Sequence, residues 1–198
     1  MAIFTEVPPP HVPSYWVQVH KITYPIGAGL WVVSYILMIR ENLRTKSYGM
    51  PLFALANNFA WELVYAFYFL DVSAKQIAFA ISMMVNVFMV MTNVIMIYST
   101  LRHGGNEWTH APIVKKNLGK IWLGFTVFCI IGHWTFINWW LGYGVAMKKG
   151  KFYLGVEGID ITELIFWSGE FCQTLLSAAS LIQLIVRQHT GGVSWAIW

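Results

Sequence analysis

Charged residues are scarce in this sequence. Only 11% of its 198 residues are Asp, Glu, Lys or Arg, against a share of about 25% in soluble domains. A water-facing globule is excluded. Aspartate is rarest of all, with Asp71 and Asp160 alone, so no DDxxD, NDxxD or DxDD cluster exists to gather magnesium around a diphosphate. No P-loop or GxGxxG opens a helix, which leaves ATP and dinucleotides without support. The two cysteines, Cys129 and Cys172, lie inside apolar runs without a CxxC or Cys/His cluster. A disulfide framework or zinc site is therefore not expected. HxxxH and other metal spacings are missing too, so the chain is expected to use no metal and no cofactor. The net charge of +4 is spread through connections and forms no basic face, and nucleic acid is not an expected partner.

What is present is apolar length. Hydrophobic residues make up 57% of the chain and mean hydropathy is +0.55. Five runs approach or exceed the roughly 20 residues that a membrane-spanning helix needs. They cover about Tyr15 to Ile39, Tyr48 to Leu70, Lys75 to Thr100, Leu118 to Met147 and Thr162 to Val186. The expected fold class is all-α, a polytopic membrane helix bundle of five transmembrane helices, with residues 1–198 forming one domain and the lipid bilayer as its surroundings. Pro8, Pro9, Pro10 and Pro13 precede the first run without an apolar core behind a basic start, which does not read as a cleavable signal.

Orientation follows from the connections, because Lys and Arg are retained on the cytoplasmic side. One face takes Arg40, Arg44, Lys46, Arg102, Lys115, Lys116, Lys120 and Arg187; the other takes Lys21, Lys75, Lys148, Lys149 and Lys151. The N-terminus is expected to be lumenal and the C-terminus cytoplasmic.

On this topology two of the nine acids fall inside the membrane, Glu62 and Glu170. An acid at the centre of a membrane helix costs about 2.5 to 3.5 kcal/mol on insertion scales, and such residues usually face the bundle interior. Glu62 lies eight residues before the end of its run and Glu170 eight after the start of its own, so each sits roughly 12 Å below the same surface at 1.5 Å per residue. The matched depth predicts that they meet. Helical spacing puts Asn58, Glu62, Tyr65 and Phe69 on one face of the second run, with Glu163, Trp167, Glu170, Thr174 and Ser177, beside Gln173, on one face of the fifth. Ser82, Asn86, Met89 and Asn93 share a face of the third, and Thr126, His133 and Trp140 a face of the fourth. Each amide, hydroxyl or imidazole taken alone also fits a packing role between membrane helices.

Desolvation disfavours an ionised carboxylate, and two adjacent carboxyls cannot both ionise cheaply. A protonated acid among 33 aromatic residues (Trp 11, Tyr 9, Phe 13) suits proton-initiated carbocation chemistry, since ring faces stabilise cations. Paired membrane acids equally fit a small proton-coupled transporter or channel, and a structural subunit is the third reading. A relay should connect both faces, whereas here the acids share one depth. Glu107 and His110, in the connection Asn106 to Pro112, read as a second site or as a cap for the helix that follows, with the cap favoured.

Three stretches carry a resemblance: YGMPLFALANNFAWELVYAFYF (48 to 69), NEWTHAPIVKKNL (106 to 118) and CQTLLSAASLIQLIVRQHTGGVSWAIW (172 to 198). The chain resembles the integral-membrane terpene cyclases of fungal meroterpenoid and indole-diterpene pathways. The likeness runs from about residue 47 onward, with a variable stretch near 120 to 165. Its most specific part is the Asn-x-x-x-Trp-Glu string of the second run. The resemblance implies cyclisation of a prenylated aromatic, indole or polyketide substrate, commonly epoxidised, by epoxide protonation without metal. It implies that Glu62 is the acid and that a second acid near the C-terminus, commonly an aspartate, takes part; within the membrane the last run offers only Glu170 for it. Asn58, Tyr65, Asn86, His133, Trp167 and Gln173 are then the expected substrate-binding residues. It also implies an endoplasmic reticulum membrane for a fungal source, and seven spans where five are visible.

Overall fold

A chain inside a bilayer has to satisfy its backbone hydrogen bonds internally, and helices do so here. The computed structural model describes residues 13–72, 77–142 and 161–197, with the side chains of 17, 24, 67–86 and 161–163 outside the description. Five α-helices follow in order: α1 Tyr15–Thr45, α2 Leu52–Val72, α3 Ile77–His103, α4 Pro112–Gly142 and α5 Ile161–Arg187. They coincide with the five apolar runs. Among the described residues, Gln18–Thr45, Pro112–Gly142 and Leu164–Arg187 are long and apolar enough to cross a membrane.

Two boundaries have local causes. α1 continues through Pro25, which lacks a backbone N–H, and ends where Lys46 turns left-handed with φ 51°. α4 starts six residues before the expected Leu118, with Pro112 in the first turn where its missing N–H costs nothing. The helix bends at Asn117 (φ −110°, ψ 15°), whose amide donates to the Ile113 carbonyl at 2.9 Å.

α2 is the central element. It packs against α3, α4 and α5, while α1 packs along α3. Its residues enter three apolar clusters. Ala54 and Leu55 lie with Tyr35, Met38, Met89 and Met96; Val64 and Tyr65 lie with Ile137, Trp140 and Leu164; Leu52 lies with Tyr48 and Leu118.

α5 departs from the face that its polar residues outlined. Its buried line is Leu164, Ser168, Cys172 and Ser180, whereas Trp167, Glu170, Thr174 and Ser177 are exposed. Lipid tails are as apolar as leucine, so burial in a bundle is not driven by side-chain hydrophobicity. Shape fit decides the contact instead, with Leu164 seated against Val64, Tyr65 and Ile137. Ser168 and Cys172 let α2 and α4 come close, and the bulky Phe166, Trp167, Phe171 and Ile182 turn outward.

Candidate active site

Glu62 sits on α2 at 7% exposure with both carboxyl oxygens engaged. The Asn58 amide, one turn earlier, donates to Oε1 at 3.1 Å, and the Asn93 amide of α3 donates to Oε2. Asn58 also donates to the Tyr35 hydroxyl of α1 at 2.7 Å. Three helices thus converge on one buried carboxyl. Asn93 donates further to the Met89 carbonyl at 3.2 Å, and its own Oδ1 is buried without a hydrogen-bond partner among the described residues. Two amide donors on a carboxylate make charge-assisted hydrogen bonds, about twice as strong as neutral ones. Turned over, the Asn93 amide would present Oδ1 to a protonated acid, because an amide offers a donor on one side and an acceptor on the other. The pair can serve either protonation state of Glu62.

A second polar group lies between α2, α4 and α5. Asn57 donates to the Cys172 sulfur at 3.1 Å, and its Oδ1 stands 3.1 Å from His133 Nε2. Since the Asn57 oxygen can only accept, Nε2 of His133 carries a proton in this arrangement. Trp61 Nε1 donates to Ser168 Oγ at 2.9 Å and stacks on Tyr65 at 5.1 Å, and Tyr65 meets the His133 ring edge-on at 5.9 Å. Asn57 and Trp61 are one turn apart, as are Asn58 and Glu62. The Asn-x-x-x-Trp-Glu string therefore faces two ways: Asn57 and Trp61 dock α4 and α5, while Glu62 turns toward α1 and α3.

Set against expectation, Asn58 joins Glu62 directly. Tyr65 and His133 are buried, yet both belong to the α4 and α5 side of α2. Glu170 is exposed on α5, two residues and about 200° round the helix from Cys172. The carboxyl pair anticipated from matched depth is not formed, because depth fixes height along a helix and says nothing about the face. Trp167 is likewise exposed at 54%, and Gln173 is half-buried at the edge of the packed face. Asn86 and Glu163 fall among the side chains outside the description. Tyr35 was not anticipated at all. It is one tyrosine in an apolar run, and its partner Asn58 is 23 positions away, so no local signal marks it. Asn93 had the signal of its shared face with Met89, and Asn57 that of the Asn-x-x-x-Trp-Glu string.

The connection holding Glu107 is no cap. Glu107 accepts from Ser47 Oγ at 2.5 Å, lies 3.0 Å from His189 Nε2 and 3.7 Å from Arg187 Nε. The Arg187 guanidinium covers the Tyr48 ring at 3.9 Å and donates to the Tyr48 carbonyl at 2.8 Å, while Trp108 donates to the Tyr48 hydroxyl at 2.9 Å. Burial pushes the Tyr48 phenol above its ordinary range, against the opposing pull of Arg187. Gly192, at φ +83°, brings the tail against Gly49, where an added Cβ would stand 2.3 Å from the Gly192 oxygen. His110 is exposed beside Trp108. The expected cap is a clasp joining three chain segments at the basic end.

Comparison with known proteins gives the chain relatives. A family profile described as Pyr4-like transmembrane terpene cyclases matches residues 4–198. Terpene cyclase ascF of Acremonium egyptiacum is 44% identical over 195 residues, which cover 98% of this chain and 67% of the relative. The Pyr4-family terpene cyclase mfmH of Annulohypoxylon moriforme is 32% identical over 186 residues (94% and 66%). Terpene cyclase idtB of Claviceps paspali is 32% identical over 178 residues (89% and 64%). The chain spans about two thirds of the length of these relatives. No solved structure matches it.

Proposed function

Because the chain belongs to the Pyr4-like transmembrane terpene cyclases, we propose that it is a membrane-embedded cyclase that closes the prenyl chain of an epoxidised aromatic, indole or polyketide substrate. The observation that carries the reading is the buried Glu62 carboxyl held by Asn58 and Asn93 beside Tyr35. The Glu62 O–H proton passes to the epoxide oxygen as the carbon–oxygen bond breaks. The electron-poor carbon is taken up by the neighbouring double bond, which forms the ring bond and moves the charge along the chain. A proton lost from carbon ends the sequence, so substrate and product are isomers. The two amides stabilise the carboxylate left behind, at the moment when charge develops. Metal plays no part in this proposal. Glu170 enters it on a different ground from Glu62. It faces away from the α2 contact, and an acid kept in an apolar span is by default a functional residue.

The test is product analysis. Membranes containing the protein are incubated with an epoxidised prenyl-indole and a panel of epoxidised prenyl-polyketides, and products are followed by mass spectrometry and chromatography. A cyclised isomer of unchanged mass is expected from at least one substrate. Absence of any isomerisation across the panel, with the protein shown to be inserted, would overturn the reading.

A further inference from the structure

On the far side of Tyr35 from the basic end, α1 carries an open groove of about 390 Å³ lined by His20, Thr23, Gly27, Ala28 and Trp31. That volume is in the range of small-molecule sites, about 300 to 1,000 Å³. At 100° per residue, His20, Thr23, Gly27, Trp31 and Tyr35 fall within one stripe of the helix, spanning about 22 Å along its axis. The stripe leads to the carboxyl. The Trp31 ring meets the Tyr35 ring edge-on at 6.1 Å, and Tyr35 shares the Asn58 amide with Glu62. Thr23 donates its hydroxyl to the Val19 carbonyl at 2.9 Å, so it offers the groove a methyl group. The lining is apolar apart from His20. Nothing stands within 4 Å of a Cβ built on Gly27, so this glycine opens into the groove.

We propose that this α1 groove is the bed of the substrate's isoprenoid chain and leads its reactive end past Tyr35 to Glu62. The proposal rests on the cyclase reading above and adds where the chain lies. Its occupant follows from continuity: the groove is lined mainly by apolar groups, and its Trp31 end lies against Tyr35, which shares the Asn58 amide with the only buried carboxyl among the described residues. Gly27 then sets how much room the chain has. A larger side chain there enters the groove from a Cβ that has no protein atom within 4 Å.

Two measurements test it. Turnover of a phenol with an epoxidised three-isoprene chain should fall through Gly27→Ala, Gly27→Leu and Gly27→Trp, reaching at least a tenfold loss at Trp. Gly29→Trp is the control. Gly29 lies on the opposite side of the helix and also has open space around its Cβ position, so this variant should stay within about twofold of wild type, about a third of the tenfold step in barrier height. In parallel, a three-isoprene phenol carrying a diazirine on its chain should label α1 between His20 and Tyr35 in wild type. Excess unlabelled three-isoprene phenol should suppress the labelling, and it should persist in Glu62→Gln. Wild-type turnover in Gly27→Trp, equal losses in Gly27→Trp and Gly29→Trp, labelling confined to other helices, or labelling displaced by phospholipid and not by the phenol would each overturn the proposal. If the Trp variant does not accumulate, labelling of wild type decides. Absent turnover with specific α1 labelling would instead count against the cyclase reading and leave the groove standing.

Discussion

A carboxyl that starts a carbocation reaction must hold its proton out of water and then tolerate the charge left behind. Glu62 is placed for both, with Asn58 and Asn93 on its two oxygens. An amide at this position keeps nearly the same shape and hydrogen bonding but cannot donate at useful acidity. Glu62→Gln should therefore insert and fold normally while turnover falls by several orders of magnitude. Near wild-type cyclisation by this variant, measured on the substrate panel, removes Glu62 from the role of acid. Glu170 is a separate case, because it faces away from Glu62 on the exposed side of α5. Glu170→Gln should lower turnover at least about tenfold, roughly 1.4 kcal/mol or more in barrier height, and Glu170→Asp should keep part of the activity. An unchanged rate would leave Glu62 as the sole carboxyl of the reaction.

At the scale of the helix, α5 shows how a face is chosen in an apolar bundle. Cys172 is 3% exposed and accepts from Asn57, whereas its neighbour Phe171 is 59% exposed. Enlarging a packed position forces neighbours off their rotamers, at about 1 to 3 kcal/mol. Cys172→Leu should accordingly lower the melting temperature in detergent, and Phe171→Leu should leave it nearly unchanged. The reverse order would mean that α5 presents its Glu170 face to the bundle. α2 carries the complementary logic. Adjacent residues on a helix point about 100° apart, so Asn57 and Asn58 serve two different clusters from one short string.

For the molecule as a whole, the basic clasp and the acid-bearing core make separate demands. Eight of the thirteen Lys and Arg residues fall on the side of the Ser47 and Glu107 connections, and positive residues stay cytoplasmic. A glycosylation acceptor inserted near Lys46 should stay unmodified and one near Lys149 should be modified; the opposite pattern would invert the orientation. Because the sequence has only two, widely separated aspartates, no magnesium site of clustered carboxylates is expected. Turnover should survive EDTA. Loss on chelation that magnesium restores would defeat the metal-free mechanism.

Five helices and their approximate limits were legible because apolar length is a property of consecutive residues. The inward faces of α2 and α4 were legible in part, since Asn58, Glu62, Tyr65, Thr126, His133 and Trp140 repeat at helical spacing and are all buried. The α5 face was not. Its exposed polar residues repeat just as regularly, and in an apolar solvent periodicity cannot say which side meets protein. Shape fit decides it, with Leu164, Ser168 and Cys172 buried while Ser177 is exposed, and only docking against α2 and α4 shows that fit. Tyr35, Asn93 and the Glu107 clasp needed the tertiary structure for a related reason. Glu62 and Asn93 are 31 positions apart, and Ser47 and Glu107 are 60. Partners so separated are brought together by helix packing. Residue type determined that a buried acid must have partners; the packing of α1, α2 and α3 decided which ones.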